Sequence, residues 1–367
     1  MFSELMHRVD EQFSKELPFV IYRKPNQKEV KIILQKSDQL HQLSDVETSS
    51  GFVFASFDNS RNAVLIPTDE VLVAADFAPE KVFLLKAVSV DTSQKEEHVR
   101  LVEKAIEEIK KNNFQKVVLS RMVSVKTKIQ APELFKKLLA TYESAFCYLW
   151  YHPKVGTWLG ATPEILLKTE NQQFTTMSLA GTQKYVENQN PVWQKKESEE
   201  QRLVTDYISS ALKGCVSNLT IGDRESTRAG NLWHLRTKLT ARIEKGSLAR
   251  TIDALHPTPA VCGLPMHTTK KFILANENYD RAYYTGFLGE LNFKLKKDRN
   301  SSSRNQENKA YRAIKKSTTL FVNLRCMQLK DSKATIYVGG GVTRDSEPEK
   351  EWEETVAKSK TMLKVLT

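Results

Sequence analysis

The sequence of 367 residues is poor in the features that mark fibrous, low-complexity and membrane-spanning proteins. It has only 14 glycines and 12 prolines, which excludes collagen-like and mucin-like chains. No run of 18 apolar residues occurs, and the first twenty residues lack the apolar segment of a signal peptide. Because 40% of the residues are apolar and 27% are charged, we expect a globular, cytoplasmic protein with a sizeable core.

Cysteine is scarce as well, and the four cysteines lie far apart in the chain. There is no CxxC pair and no histidine at ligand spacing from a cysteine, so a zinc site is not expected. In a cytoplasmic protein we expect all four thiols to be reduced. They are Cys147, Cys215, Cys262 and Cys326.

Positive charge is in excess, with 55 Lys and Arg against 44 Asp and Glu, a formal net charge of +11. Such an excess is typical of proteins that bind nucleic acids, membrane surfaces or small anions. The basic residues are interleaved with glutamates, however, and their densest stretch, 294–312, is rich in serine and asparagine. This stretch is typical of a solvated loop. We therefore expect no binding to nucleic acids or membranes, and a basic nucleic-acid-binding protein is only a remote alternative.

Hydrophobic periodicity predicts an α+β fold with large antiparallel sheets, because helices and strands are mixed without a regular βα repeat. The pattern predicts a β-rich N-terminal part over residues 1–95 and a core over residues 96–367. We expect the two to form one integrated domain. Helices are predicted at 96–113, 132–143, 191–213 and 348–363. Strands are predicted at 116–126, 146–150, 155–161, 174–179, 231–243, 283–294, 320–329 and 335–338.

Two predicted helices each carry a Glu-x-x-Glu pair on one face. Glu197 and Glu200 lie in the helix 191–213, and Glu351 and Glu354 lie in the helix 348–363. Carboxylates from two helices can converge on Mg²⁺, which binds one or two carboxylates directly and keeps several waters. Taken alone, the spacing is more typical of solvated helix faces.

Three further features are candidates for binding or catalysis. A strand leads into the glycines 339–341, where backbone N–H groups could approach an anion. His256 lies in a loop with two prolines, and Lys116 opens an apolar strand. Each feature also has an ordinary structural explanation: a turn, a hydrogen-bonded histidine and a lysine at the end of a strand.

Taken together, nine motifs in this order resemble those of the chorismate-utilising enzymes, and within them the isochorismate synthase branch. The resemblance extends over roughly residues 96–367, and the set is far more specific than any single motif. The motifs are KVVLSR at 116–121, GATPE at 160–164, LAGT at 179–182, KESEE at 196–200, LWHLRT at 232–237, LHPTPAVCG at 255–263, YYTG at 283–286, YVGGGV at 337–342, and EPEKEWEET at 347–355 followed by Lys358.

The resemblance implies a sandwich of two antiparallel sheets flanked by helices, and it implies dependence on Mg²⁺. Glu200 and Glu354 are similar to direct metal ligands, and Glu197 and Glu351 to residues that act on metal-bound water. The positions similar to contacts of the enolpyruvyl carboxylate are Tyr284, Arg325 and the backbone of Gly339 and Gly341. Those similar to contacts of the ring and its carboxylate are Gly181, Thr182, His256 and Lys358.

Two residues decide the chemistry that the resemblance implies. Lys116 is similar to the general base that activates water, which the ammonia-using members of the family lack. Glu164 resembles the general acid that protonates the departing C4 hydroxyl. The implied activity is that of an isomerase, which converts chorismate to isochorismate by adding water at C2 and losing the C4 hydroxyl.

The sequence departs from the family pattern in two places. Gln201 follows Glu200 where a histidine is usual, and QKYV at 183–186 replaces Arg-Pro-Arg-Gly. Neither change affects an implied ligand or proton carrier. Salicylate synthase, which performs the same first step and then eliminates pyruvate, stays an alternative. The pathway, menaquinone or siderophore biosynthesis, is open, and we expect a monomer or a weak homodimer.

Overall fold

The computed structural model of the protein describes residues 1–58, 61–79, 93–187, 189–229, 232–295 and 315–366. Most of the basic stretch at 294–312 therefore lies outside the described residues. None of the helices in the described ranges is both long and apolar enough to cross a membrane. These helices are α1 (Phe2–Ser14), α2 (Lys95–Lys110), α3 (Ala131–Thr141), α4 (Lys195–Ala211), α5 (Leu248–Leu255), α6 (Met266–Asn276) and α7 (Pro348–Leu363).

The strands of the described residues form two sheets, and all strand pairings within them are antiparallel. The strands are β1 (Phe19–Arg23), β2 (Val30–Leu34), β3 (Gly51–Ala55), β4 (Val64–Ile66), β5 (Glu70–Ala74), β6 (Lys116–Lys126), β7 (Phe146–His152), β8 (Gly156–Thr162), β9 (Ile165–Glu170), β10 (Gln173–Lys184), β11 (Val216–Ala229), β12 (Leu232–Ile243), β13 (Gly263–Leu264), β14 (Phe287–Leu295), β15 (Lys315–Val322), β16 (Cys326–Lys330) and β17 (Lys333–Val342).

The first sheet has nine strands in the order β13-β6-β17-β16-β8-β7-β1-β2-β5. The second sheet has eight strands in the order β11-β12-β10-β9-β15-β14-β3-β4. Strands from the N-terminal 95 residues join both sheets, β1, β2 and β5 in the first and β3 and β4 in the second. The N-terminal part thus contributes to both layers, while the boundary at residue 95 stays a prediction.

The core between the sheets is rich in aromatic side chains. Trp150 of β7 and Trp158 of β8 belong to the first sheet and pack against Phe54 of β3 in the second, all three completely buried. Burial of each such ring is worth roughly 1.5–3 kcal/mol, so this cluster fixes the two sheets face to face. Separate apolar clusters cover the outer faces, with α1 and α3 on the first sheet and α4 and α5 on the second.

The predicted α+β class and antiparallel sheets are confirmed, and two predicted elements, β6 and α7, have the predicted bounds. The prediction of strands at the N-terminus missed α1, whose buried residues Leu5, Met6 and Val9 have helical spacing. The predicted strand 320–329 is wrong, because the chain breaks between β15 and β16 and Arg325 has a positive φ of 49°. The strand predicted from residue 283 begins only at Phe287, because Thr285 has a φ of 61°.

Candidate active site

A cavity of about 120 Å³ is lined by residues of both sheets and of the helices α4 and α7. Its walls come from β17 in the first sheet, β10 and β12 in the second, and the loops before β9 and β16. Residues from remote parts of the chain therefore meet here. The predicted site residues that line the cavity are Glu164, Gly181, Glu197, Glu200, Tyr284, Arg325, Gly339, Gly341, Glu354 and Lys358.

Lys116 lies immediately behind this lining, at the first position of β6. Its side chain is 1% exposed, and its Nζ donates a hydrogen bond of 2.7 Å to Oε1 of Glu200. A buried ammonium group is costly unless it is paired, so Glu200 compensates the burial of this charge. The pairing of β6 with β17 brings Lys116 beside Gly341, since Val117 and Val118 pair with Val342 and Gly341.

Glu197 and Glu200 of α4 and Glu354 of α7 line the cavity. Glu354 contacts Lys358 one turn later at 2.6 Å, and Lys358 also donates a hydrogen bond of 2.9 Å to the carbonyl of Gly339. Glu351 is buried, and Glu197 lies against Gly181. Carboxylates from facing helices thus border one cavity, together with two lysines that balance part of their charge.

The glycines of β17 allow these carboxylates to approach the strand closely. A Cβ atom added at Gly341 would lie 2.7 Å from Oε1 of Glu200 and 3.0 Å from Cε of Lys116. At Gly340 it would lie 3.4 Å from Oε2 of Glu351 and 3.8 Å from Oε1 of Glu354. The missing side chain at Gly341 therefore makes the room in which Glu200 and Lys116 approach β17, whereas the distances at Gly340 are those of ordinary contact.

The donor set fits a hard divalent cation in its chemistry, since carboxylate oxygens are the protein ligands that Mg²⁺ prefers. Within the described residues, however, no group of three or more His, Cys, Asp or Glu side chains is arranged to hold a metal ion. Glu200 and Glu354 contact Lys116 and Lys358 instead. The residues that could hold a cation are these two glutamates, with Glu351 and Glu197 beside them.

Glu164 also lines the cavity and lies in the turn between β8 and β9. It is buried, and this burial raises the pKa of its carboxyl from 4.5 to about 8, although the charges of Lys116 and Lys358 act in the opposite direction. Desolvation disfavours the carboxylate form more than the two cations favour it. Glu164 is therefore a protonated carboxylic acid near neutral pH and can donate a proton.

Positive side chains and aromatic rings also line the cavity. Arg325, whose guanidinium donates a hydrogen bond of 2.9 Å to Thr361, lies on the irregular segment between β15 and β16. Tyr284 stacks on Tyr337 with ring centroids 5.4 Å apart. Arg325 and Lys358 together suit an anionic ligand with carboxylate groups, since both present hydrogen-bond donors with positive charge.

His234 of β12 lines the cavity although it was not among the predicted site residues. Its Nδ1–H donates a hydrogen bond of 3.0 Å to the carbonyl of Gly181, and its Nε2 lies 3.5 Å from Nη2 of Arg325. Burial, and then the charges of Arg325 and Lys358, lower the pKa of His234 to about 3, so its ring is neutral. The one sequence feature that could have indicated His234 is its place in the motif LWHLRT, which supported the family resemblance but no site residue.

Gly181 shapes the wall beside His234. It has a φ of +70°, and the register of β10 against β12 shifts there, between the pairs Ala180 with Leu235 and Thr182 with His234. A bulge of this kind turns the backbone locally, and glycine adopts the left-handed conformation without steric cost. Gly181 thus lines the cavity at an irregularity of the strand, while the contact predicted for Thr182 stays a prediction.

His256 is not among the described residues that line the cavity. Its Nε2 lies 3.0 Å from the carbonyl of Ser56, and its ring packs edge-on against Phe287 at 4.9 Å. Burial lowers the pKa of His256 to about 4, which makes it a neutral hydrogen-bonding residue. His256 is thus outside the described lining, as Lys116 and Glu351 also are, and its contact with the ring or its carboxylate stays a prediction.

Comparison with known proteins places these features in a family. Family models described as chorismate binding enzyme match residues 66–298 and 311–364. Isochorismate synthase DhbC of Bacillus subtilis is 26% identical over 337 residues, which cover 82% of this chain and 79% of that protein. Isochorismate synthase EntC of Escherichia coli is 28% identical over 264 residues, or 68% of this chain, but only 62% of the length of that protein is spanned.

A solved structure has the same fold. MenF, the menaquinone-specific isochorismate synthase of Escherichia coli, aligns with a TM-score of 0.74 over 95% of this chain and 89% of its own, at 19% identity. At this identity the likeness concerns the fold alone, while the family models match most of the sequence. The family that the nine motifs indicated is therefore confirmed: the chain belongs to the chorismate-binding enzymes.

Proposed function

We propose that the protein is an isochorismate synthase, which converts chorismate to isochorismate with Mg²⁺. The observation that carries this proposal is that one cavity has a buried lysine, Lys116, behind its lining and a buried glutamic acid, Glu164, in its lining, with the pKa of Glu164 raised to about 8. Water addition with loss of a hydroxyl needs a proton acceptor and a proton donor. Lys116 and Glu164 are groups of these two kinds.

Substrate binding is assigned to the cationic side chains and the glycine-rich strand. Arg325 and Lys358 would bind the two carboxylates of chorismate, and the backbone at Gly339 and Gly341 leaves room beside them. Glu200 and Glu354 would hold Mg²⁺, with Glu197 and Glu351 near them, and the bound ion would supply Lewis-acid stabilisation of carboxylate charge. Tyr284 would border the enolpyruvyl group.

The proton transfers are assigned to Lys116 and Glu164. Nζ of Lys116, acting as a neutral amine, takes a proton from the water that attacks C2 of the ring and becomes an ammonium group. The ring double bonds shift, and Glu164 gives its proton to the C4 oxygen, which leaves as water. One water is added and one is lost, so the product is an isomer of the substrate.

The proposal is tested by the products formed from chorismate and Mg²⁺, separated by chromatography. Isochorismate as the main product is the expected result. Salicylate with pyruvate in equal amount would assign the protein to the alternative activity, for which neither the isochorismate synthase relatives nor any contact in the cavity gives specific support. Anthranilate formed from ammonia as readily as isochorismate from water would contradict the assignment to the water-adding branch.

Replacement of Glu200 or Glu354, the two proposed metal ligands, is expected to remove the metal site. Glu200→Gln and Glu354→Gln keep the size of each side chain but lose its charge, so binding of Mg²⁺ should weaken by on the order of 100-fold or more. Isothermal titration with Mg²⁺ measures this directly, and turnover of chorismate should fall in parallel. Glu353→Gln, an exposed position on the same helix, is the matched control and should bind Mg²⁺ normally. Unchanged binding of Mg²⁺ by both Glu200→Gln and Glu354→Gln would show that these residues are not metal ligands.

A methyl group at Gly341 is expected to disturb the base and the metal ligand together. Its Cβ would lie 2.7 Å from Oε1 of Glu200, so the pair of Glu200 with Lys116 must move. A displacement of about 1 Å can cost on the order of 100-fold in rate. Gly340→Ala is the matched control, since its closest contact of 3.4 Å is ordinary and its kcat should stay within about threefold. Equal kcat values in the two variants would contradict the close approach at Gly341.

A further inference from the structure

A buried ion pair lies directly behind the cavity wall and takes no part in the mechanism above. Arg281 and Glu277 have side chains that are each 2% exposed. Their contact is bidentate, with Nη2 donating to Oε1 at 2.6 Å and Nε donating to Oε2 at 2.7 Å. An ion pair so deeply buried is often no more stabilising than apolar residues of the same size, so its presence calls for a reason beyond stability.

The remaining donors of Arg281 are directed at three separate segments of the chain. Nη2 donates to the carbonyl of Val118 at 2.7 Å, and Nη1 donates to the carbonyl of Val261 at 3.0 Å and to Oγ1 of Thr285 at 3.4 Å. Together with the two bonds to Glu277, these contacts use all five N–H donors of the guanidinium. Each of the three segments contributes its bonded residue to the lining of the cavity.

Glu277 adds a second attachment to the same strand. Its Oε1 accepts hydrogen bonds from the backbone N–H of Ser120 at 2.7 Å and from the hydroxyl of Ser120 at 2.8 Å. The ion pair is therefore bonded to β6 at both Val118 and Ser120. Since Lys116 is the first residue of β6, the pair fixes the strand that carries the proposed base.

We propose that Arg281, held in orientation by Glu277, is a positioning residue for Lys116. The planar guanidinium sets β6, the segment at Val261 and the turn at Thr285 at fixed distances from one another, which a flexible single cation cannot do. This inference rests on the proposed function only in that Lys116 is the base. It concerns the geometry of the site and not the identity of the product.

The test is a double-mutant cycle on the rate of chorismate consumption at saturating chorismate and Mg²⁺. Arg281→Lys keeps the charge but has three donors on one nitrogen and loses the planar fork, so kcat should fall by about 10- to 100-fold. In the Lys116→Ala background the same substitution should change kcat by less than about threefold, because the group that it positions is absent. A purely structural role would lower kcat by the same factor in both backgrounds, and that result would overturn the proposal.

Two further variants keep the test decisive. If Arg281→Lys does not fold, Glu277→Gln replaces it in the cycle, since it keeps the guanidinium and loses only its charged partner, and the same non-additivity is expected.

Glu290→Gln serves as the matched control, because Glu290 is also 2% exposed and paired with Lys24 and Lys31, and it is not among the described residues that line the cavity. It should leave kcat within about threefold even where it lowers the melting temperature. An equal loss of kcat in this control would overturn the proposal.

Failure of the proposed function is recognised separately. If the wild type consumes chorismate but releases a product other than isochorismate, the proposed function fails while the cycle still decides the role of Arg281. If the wild type does not consume chorismate, both inferences fail. If isochorismate is formed and the cycle is additive, only the positioning role is lost.

Discussion

Replacement of Lys116 by alanine should lower kcat for chorismate conversion by about 10²- to 10⁴-fold without unfolding the chain. Nζ of Lys116 is buried against Glu200 and lies beside Gly341, which lines the cavity, so we expect it to act on the attacking water. Lys358, whose Nζ contacts Glu354 and the carbonyl of Gly339, is assigned to a carboxylate of the substrate and not to this role. Steady-state kinetics with product quantification measures the effect.

The controls for this variant separate loss of the base from loss of the fold. Lys95→Ala breaks a lysine–glutamate contact at the surface, with side chains 43% and 63% exposed, and should leave kcat unchanged. Chorismate should still bind to Lys116→Ala, since the proposed carboxylate contacts lie elsewhere in the cavity. Near wild-type water addition by Lys116→Ala would show that the base is another group.

Replacement of Glu164 by glutamine should remove the proton donor and, with it, one limb of the pH profile. A general acid acts in its protonated form, and burial raises the pKa of Glu164 to about 8. In the wild type kcat/KM should therefore be sustained below pH 8 and fall as the pH rises through this value. Glu164→Gln should lower kcat/KM by about 10²- to 10⁴-fold, and the residual activity should lack the fall near pH 8.

The stability of the same variant gives an independent measure of that pKa. The pKa of Glu164 is above its usual 4.5 in the folded protein, so the proton that it holds stabilises the fold fully below about pH 4.5, and this contribution is lost as the pH rises towards 8. Glutamine carries no charge at any pH. The melting temperature of Glu164→Gln should therefore equal or exceed that of the wild type at pH 9. If Glu164→Gln instead melted at a lower temperature than the wild type at pH 9, and its kcat/KM still fell near pH 8, Glu164 would not be the general acid.

The elements that could be predicted from the sequence are those whose local pattern agrees with their tertiary environment. The strand beginning at Lys116 is a continuous apolar run that is buried in the sheet, and the last helix has a proline at its first position. The break at Arg325 could not be predicted, because a positive φ in an ordinary residue is set by the surrounding packing. The apolar runs before and after Arg325 therefore have the pattern of one continuous strand, and they were predicted as one.

The candidate site was predicted in its residue types but not in its contacts. The two glutamate pairs were visible as a helical spacing, yet their partners Lys116 and Lys358 depend on which strands and helices meet. His234 was missed because a lone histidine in a strand has no spacing that marks it. His256 was predicted from its place in a rigid loop. Its hydrogen bond to the carbonyl of Ser56 could not be predicted, because the two residues are 200 positions apart in the sequence.

The measurement that tests the central claim most directly is the conversion of chorismate with Mg²⁺ in water enriched in ¹⁸O, followed by mass spectrometry of the product. Addition of water at C2 and loss of the C4 hydroxyl predict isochorismate that carries one ¹⁸O atom, located in the hydroxyl group at C2. The label should accumulate at the same rate as product, and both should depend on Lys116. Isochorismate without the label would mean that the hydroxyl moves within the substrate, and would contradict the roles of Lys116 and Glu164.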